Sequence, residues 1–224
     1  MDAIKFCPAG DCALIAEFGN RIDEDINSKV HALARWISER KIPGVIETVP
    51  TFRSLMVIYD PWRISYRRLT GILKKCSFES RDTQNTQKEI IEVPCWYSGP
   101  DMDDMEKLTG LSREEIISIH SGTDYKIYMM GFLPGFVYLG GLDKRIHAPR
   151  LSTPRTRIEP GSVGIGGSQT GVYPVASPGG WRILGYTPLK FYDPEKENPI
   201  LCRAGQYIRF VPISREEYER AVTR

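Results

Sequence analysis

The sequence has no apolar run approaching the roughly 20 residues that a helical membrane span requires. Its opening stretch, MDAIKFCPAGDCALIAEFG, carries an acid at Asp2 and no long apolar segment, which argues against a secretory leader and makes the cytosol the expected location. Net charge is nearly absent: 30 Lys+Arg against 28 Asp+Glu leave +2, too weak a field to draw in nucleic acid or an anionic membrane. The five cysteines, Cys7, Cys12, Cys76, Cys95 and Cys202, form no C-x-x-C pair and no Cys/His ligand spacing, so no metal site is expected and the thiols read as reduced and structural. There is no internal repeat and no low-complexity segment. The 224 residues, 41% hydrophobic and 26% charged, suit one large globular domain or two small ones with a proper core.

Within those limits the first third of the chain alternates strand and helix. DCALIAEFG reads as a strand ending at Gly19. IDEDINSKVHALARWISERK places Ile22, Ile26, Val30, Leu33, Ala34 and Ile37 at helical spacing, with acids early and bases late as the helix dipole favours. Pro43-Gly44 stops that helix. VIETVP and SLMVIYD read as two strands joined by a short turn, and SYRRLTGILKKC as a second amphipathic helix with Ser65 at its N-cap. The order strand, helix, two strands, helix predicts an α+β layer with helices on one face of a mostly antiparallel sheet. The polar stretch from Ser77 to Glu89 lacks large apolar residues and reads as a linker, giving an α+β domain over 1–80, a linker over 81–88 and a second domain over 89–224.

The second domain restarts with the strand IIEVPCWY. Two short helices follow, the second capped by Ser112 with Glu115 at the capping-box position. From DYKIYMMGF onward, short strands broken by Gly and Pro run to Phe210-Val211, then a polar helix from Ser214. That pattern predicts a barrel or sandwich. The glycine cluster at 161–167 invites nucleotide motifs, and each fails: a dinucleotide fingerprint from Gly164 needs glycine where Gln169 stands, a phosphate loop from Gly161 needs lysine at Gly167, and a nucleophile elbow at Ser168 meets Thr170. These glycines serve either turns and close backbone packing or a cradle of backbone N–H groups for an anion or carbonyl.

Two Pro-Arg pairs, Pro149-Arg150 and Pro154-Arg155, set guanidiniums on stiff extended chain, as surface decoration or as forks for carboxylate or phosphate. Of three histidines, His31 lies in the first helix, His120 ends a short helix, and His147 adjoins the first Pro-Arg pair. Any of them could be a general base or an ordinary hydrogen-bonding residue. MGFLPGFVYLGGL interleaves Gly131, Gly135, Gly140 and Gly141 with Phe132, Phe136 and Tyr138, which suits either a strand turning a barrel corner or the apolar wall of a small-molecule pocket.

Taken in order, AGDCALIAEFG, VPTFRSLMVIYDP, GFLPGFVYLGGLD, APRLSTPRTRIEPGSVGIGGSQTGVYP and SPGGWRILGYTP resemble the family known as the 5-oxoprolinase B subunit, KipI or allophanate hydrolase subunit 1. The resemblance spans nearly the whole chain. It implies a small α+β domain followed by a cyclophilin-like β-barrel domain. It also implies a non-autonomous, ATP-hydrolysing enzyme component that opens 5-oxoproline to glutamate with two partners, one KipA-like (the C subunit) and one YcsF-like (the A subunit). ATP, with Mg, would be bound with or by the partner. The alternatives are inhibition of a sporulation histidine kinase, or service in an allophanate or urea amidolyase.

Carried over by position, the resemblance implies catalytic roles for His120, Arg150, Arg155 and Gln169. It implies substrate contacts from Phe132, Tyr173, Gly179, Gly180 and Trp181, grouped at a barrel mouth. Tyr186 departs from the pattern, which has arginine there, and the loss of that arginine weakens the anion reading or shifts the ligand.

Overall fold

The computed structural model describes residues 4–76 and 88–223. The chain divides into two compact units at Gln87/Lys88. Most of the stretch expected to link them lies outside the described residues.

The N-terminal unit is a four-stranded antiparallel sheet built from β1 (Lys5–Pro8), β2 (Ala13–Glu17), β3 (Val45–Pro50) and β4 (Ser54–Tyr59), in the order β1-β2-β4-β3. Strict alternation decides its faces. Leu14 and Ala16 on β2 pair in register with Val57 and Leu55 on β4, and all four are fully buried. Onto that face pack Val30 and Leu33 of α1 (Glu24–Arg40) and Leu69 and Leu73 of α2 (Tyr66–Leu73). Asp23 starts α1 by accepting from the N–H groups of Asp25 and Ile26, so Ile22, expected on the buried stripe, falls before the helix and is exposed. The expected order also lacked β1. This four-residue edge strand contains a terminal proline and shows too little alternation to stand out.

The C-terminal unit is a seven-stranded sheet coiled into a nearly closed barrel. Its members are β5 (Ile90–Cys95), β6 (Asp124–Met130), β7 (Val137–Gly140), β9 (Ser162–Gly166), β10 (Gln169–Val172), β12 (Arg182–Tyr186) and β13 (Tyr207–Pro212), in the order β12-β9-β10-β7-β6-β13-β5. The seam forms where the chain leaving β5 reaches β12. Trp96 and Tyr186 exchange backbone hydrogen bonds of 2.9 and 3.0 Å, and Gly99 N–H donates to the Leu184 carbonyl at 2.8 Å. Gly185 allows this approach, since a Cβ there would collide with the Trp96 carbonyl oxygen. Helices α3 (Met102–Thr109) and α4 (Arg113–Ser121) bury Met102, Met105 and Ile116 in the barrel core, α4 starting in a complete Ser112/Glu115 capping box. A two-stranded ribbon of β8 (Arg155–Ile158) and β11 (Ser177–Gly179) is separate from the main sheet, and a terminal helix α5 (Arg215–Val222) ends the unit. This is the α+β class with a cyclophilin-like barrel. Among the described residues no helix is long and apolar enough to cross a membrane.

Candidate functional site on the outer face of the barrel

The register of β9 and β10 sorts the glycine-rich segment into two faces. Thr170 pairs with Ile165 and Val172 with Val163, and all four are fully buried, the three apolar ones in the barrel core. The alternate positions, Gly164, Gly166, Gln169 and Gly171, face outward. Trp181 lies across this floor: a Cβ on Gly166 would strike its indole nitrogen, and one on Gly171 would press on its six-membered ring. Phe136, Tyr138 and Tyr173 meet Trp181 edge-on at centroid distances of 5.5, 6.0 and 6.3 Å. With Ile158 of the ribbon and Ile183 they form a second, smaller core outside the barrel wall. Gly166 therefore makes room for the indole, and Gly171 for the Val137 carbonyl oxygen as well as the indole edge.

Solvent-facing groups ring this cluster. Leu151 N–H donates to the Gly180 carbonyl at 2.7 Å, and Arg182 Nε to the Pro149 carbonyl at 3.1 Å, which fixes the segment carrying Arg150. Arg150 is exposed, stands 6.0 Å over the Trp181 ring and has no ion pair among the described residues. Its charge partly offsets the burial that pushes the Tyr138 and Tyr173 hydroxyls up from their usual pKa. Gln169 carries a shielded Nε2 with no hydrogen-bond partner among the described residues. Phe132 is 64% exposed and packs edge-on against Phe136 at 5.7 Å. Its φ of 69° is left-handed, a conformation that costs a non-glycine residue about 1–2 kcal/mol and that collects at functional sites.

Arg155 is placed differently from Arg150. Its guanidinium grips Asp101 through two bonds of 2.9 and 2.7 Å, and Asp101 Oδ2 also accepts the Ile183 N–H at 2.6 Å. Asp101 sits at the N-cap of α3 yet makes no side-chain cap bond, because its carboxylate is committed to this clamp. The hydrogen bonds to Asp101 hold the Arg155 pKa above its usual value. The fork expected to meet a ligand thus ties the ribbon to α3 and β12.

His120 is wholly buried, and the expectation of an acid–base role meets an imidazole with both nitrogens engaged. Thr170 Oγ1 donates to the Gly164 carbonyl at 3.1 Å, so it must accept from His120 Nε2–H at 2.8 Å. That leaves Nδ1 bare to accept the Tyr97 hydroxyl at 2.7 Å. Desolvation lowers the His120 pKa to about 3, so the ring stays neutral near pH 7. Tyr173 and Trp181, expected as substrate contacts, are 2% and 3% exposed, because the ribbon covers them. Gly179 and Gly180 are partly exposed and lie beside Tyr173 and Arg150 respectively. The group expected at a barrel mouth lies instead on the outer wall. His147 is tied to the Leu142 carbonyl at 3.1 Å, away from this cluster's ion pairs.

Sequence reasoning missed Asp101 and Arg182 as members of this arrangement. Asp101 lay at the start of a short acidic helix and Arg182 inside a strand pattern, and neither carried a local signal of its role. Among the described residues no three His, Cys, Asp or Glu side chains group as a metal would need. A nucleotide triphosphate does not fit this patch unaided: Arg150 is its one unpaired cation among the described residues, and the loop from Gly161 to Ser168 has no lysine.

A cyclophilin-like barrel carrying an outer aromatic and arginine cluster, preceded by a small α+β unit, defines the class of protein. The family model for the carboxyltransferase domain, subdomain C and D, matches residues 4–202. The chain is 43% identical to the 5-oxoprolinase B subunit of Bacillus subtilis strain 168, over 93% of this chain and 92% of that one. The crystal structure of TTHA0988 superposes with a TM-score of 0.81 at 33% identity, covering 91% of this chain and 40% of the larger one. The Kluyveromyces lactis urea amidolyase, at 20% identity and a TM-score of 0.79 over 98% of this chain and 15% of its own, shares the fold. The chain belongs to the carboxyltransferase subdomain C and D family, in the branch formed by the B subunits of 5-oxoprolinase.

Proposed function

We propose that the chain serves as the B subunit of a 5-oxoprolinase, an assembly that hydrolyses the ring amide of 5-oxo-L-proline to give L-glutamate. The observation that carries this reading is its near full-length likeness, at 43% identity, to the B subunit of one such enzyme. ATP supplies the free energy that opening a resonance-stabilised amide needs, and its phosphates and Mg are held with or by a partner chain. The partners are a KipA-like chain and a YcsF-like chain, and the assembly works in the cytoplasm.

On this chain, Arg150 takes the substrate carboxylate, since it is exposed and held on pinned backbone. Gln169 Nε2, shielded and without a partner among the described residues, swings outward to donate to the lactam oxygen. Phe132 and the edge of the Trp181 cluster form the apolar wall, and Gly179 and Gly180 bring backbone close. His120 and Arg155 act as positioning residues. The first fixes Thr170 beside Gln169, and the second fixes the ribbon over the cluster.

The test is reconstitution with the co-expressed KipA-like and YcsF-like chains, followed by measurement of glutamate formed from 5-oxoproline and ATP. The chain alone should turn over little or nothing, and the three chains together should turn over steadily. Activity with a urea derivative in place of 5-oxoproline would shift the reading to an amidolyase. Turnover by the single chain would overturn its dependence on partners.

A further inference from the structure

The N-terminal unit holds a groove that the barrel site leaves unused. It opens between β1 and α2, with a volume of about 380 Å³, and Ile4 and Phe6 line its strand side. On the helix side Arg67, Thr70, Gly71 and Lys74 recur every three or four residues and so share one face, with the Tyr66 ring beside them. The Tyr66 hydroxyl donates to the Phe6 carbonyl at 3.0 Å, which ties the two walls together and occupies a backbone acceptor that an added strand would need.

Three features of this groove go beyond an ordinary surface. Neither Arg67 nor Lys74 has an ion pair among the described residues, and α2 itself contains no acid. Thr70 Oγ1 is shielded and has no partner among the described residues, although a helical threonine commonly bonds the carbonyl one turn back. Gly71 stands in mid-helix, where glycine is the weakest helix former after proline. A Cβ there would meet nothing within 4 Å, so packing does not explain it. The space it leaves lies between two flexible cationic stems whose heads can converge over it.

We propose that this groove binds a small organic anion. Its apolar body would rest on Ile4, Phe6 and the Tyr66 ring, and its carboxylate or phosphate would sit between Arg67 and Lys74 over Gly71. The proposal stands apart from the oxoprolinase reading, because it uses neither the barrel nor its cluster.

The test is titration of the isotope-labelled full chain with phenyl phosphate, benzoate and inorganic phosphate, read by amide chemical shifts. Saturable shifts confined to β1 and α2 are expected, with phenyl phosphate tighter than inorganic phosphate. Saturation by benzoate and not by phenyl phosphate identifies a carboxylate ligand, and the reverse identifies a phosphate. Arg67→Gln and Lys74→Gln should each weaken binding by roughly tenfold, the loss of one charge-assisted contact. Gly71→Leu should abolish binding without lowering the melting temperature, since it fills the space with a better helix former. Shifts that stay linear to about 20 mM, weaker than any specific site of use, would overturn the proposal. So would equal affinities in wild type and Gly71→Leu.

Discussion

The two faces of β9 and β10 differ in how they use the same stretch of wall. Inward, Val163, Ile165 and Val172 fill the barrel, and Thr170 closes a hydrogen-bond chain with His120. Outward, Gly164, Gly166 and Gly171 carry no side chain: the Trp181 indole covers Gly166 and the edge of Gly171, and the β12 backbone and Ile183 cover Gly164. The inner face is specified by residue size and by satisfied polar groups. The outer face is specified by absence, and what lies on it comes from β12 and the ribbon. Inner residues therefore act on stability, whereas exposed groups at the rim of the outer face are free to act on a ligand.

The sharpest test of that contrast is a double-mutant cycle on Gly166 and Trp181. Trp181→Ala should cost about 3–5 kcal/mol of unfolding free energy. Gly166→Ala should cost about 2 kcal/mol or more by overpacking, because the three nearest atoms to its new Cβ all belong to Trp181. In the Trp181→Ala background the same change should cost under about 0.5 kcal/mol. Additive costs in urea melts would mean that the glycine is not there for the indole.

Next in size is Asp101→Ala, which strands the half-buried Arg155 guanidinium and the buried Ile183 N–H. A loss of about 2–4 kcal/mol is expected. Arg155→Lys should lose part of this, since lysine cannot span both carboxylate oxygens. A melt unchanged by Asp101→Ala would show that the clamp contributes nothing.

His120 offers a test that depends on pH. Its folded pKa is depressed from 6.5 to about 3, so below about 6.5 the unfolded chain takes up a proton that the native chain refuses. Stability should therefore be full above pH 6.5 and fall as pH drops toward 3, by at most one proton or about 1.4 kcal/mol per pH unit. His120→Gln should remove this slope between pH 6.5 and about 5.5, above the range where most carboxylates titrate. An unchanged slope would mean that His120 is charged or solvated in the native state.

The smallest stability effect belongs to Arg150→Ala. An exposed arginine with no ion pair among the described residues should change unfolding free energy by under about 0.5 kcal/mol. Yet if it takes the substrate carboxylate, kcat/KM of the reconstituted complex should fall roughly tenfold or more, with Arg150→Lys also impaired. Full activity in both variants would remove Arg150 from the site.

Much of this was legible in the sequence. The helical stripe of Ile26, Val30, Leu33 and Ile37, the capping box at Ser112, and the alternation of β2 and β4 are local patterns, and local geometry reproduces them. The motif string from Gly131 to Trp181 pointed to the right family and marked the segment around which the outer cluster is built. The roles inside the segment were not legible. Pro149-Arg150 and Pro154-Arg155 look alike as dipeptides, and nothing within five residues tells them apart.

What separated them was Asp101, 54 positions away in the chain, which is brought to Arg155 by the closing of the barrel seam. The fate of His120 was settled the same way, by Thr170 fifty residues on and by the stack against Phe210. The sequence by itself determined most of the elements, the caps at Ser65 and Ser112, and the family, because those depend on neighbours within a turn or a pleat. Only the tertiary structure decided which charged and ionisable groups were consumed internally and which were left facing solvent. Desolvation and pairing depend on what the fold brings into contact, and the residue alone does not specify that.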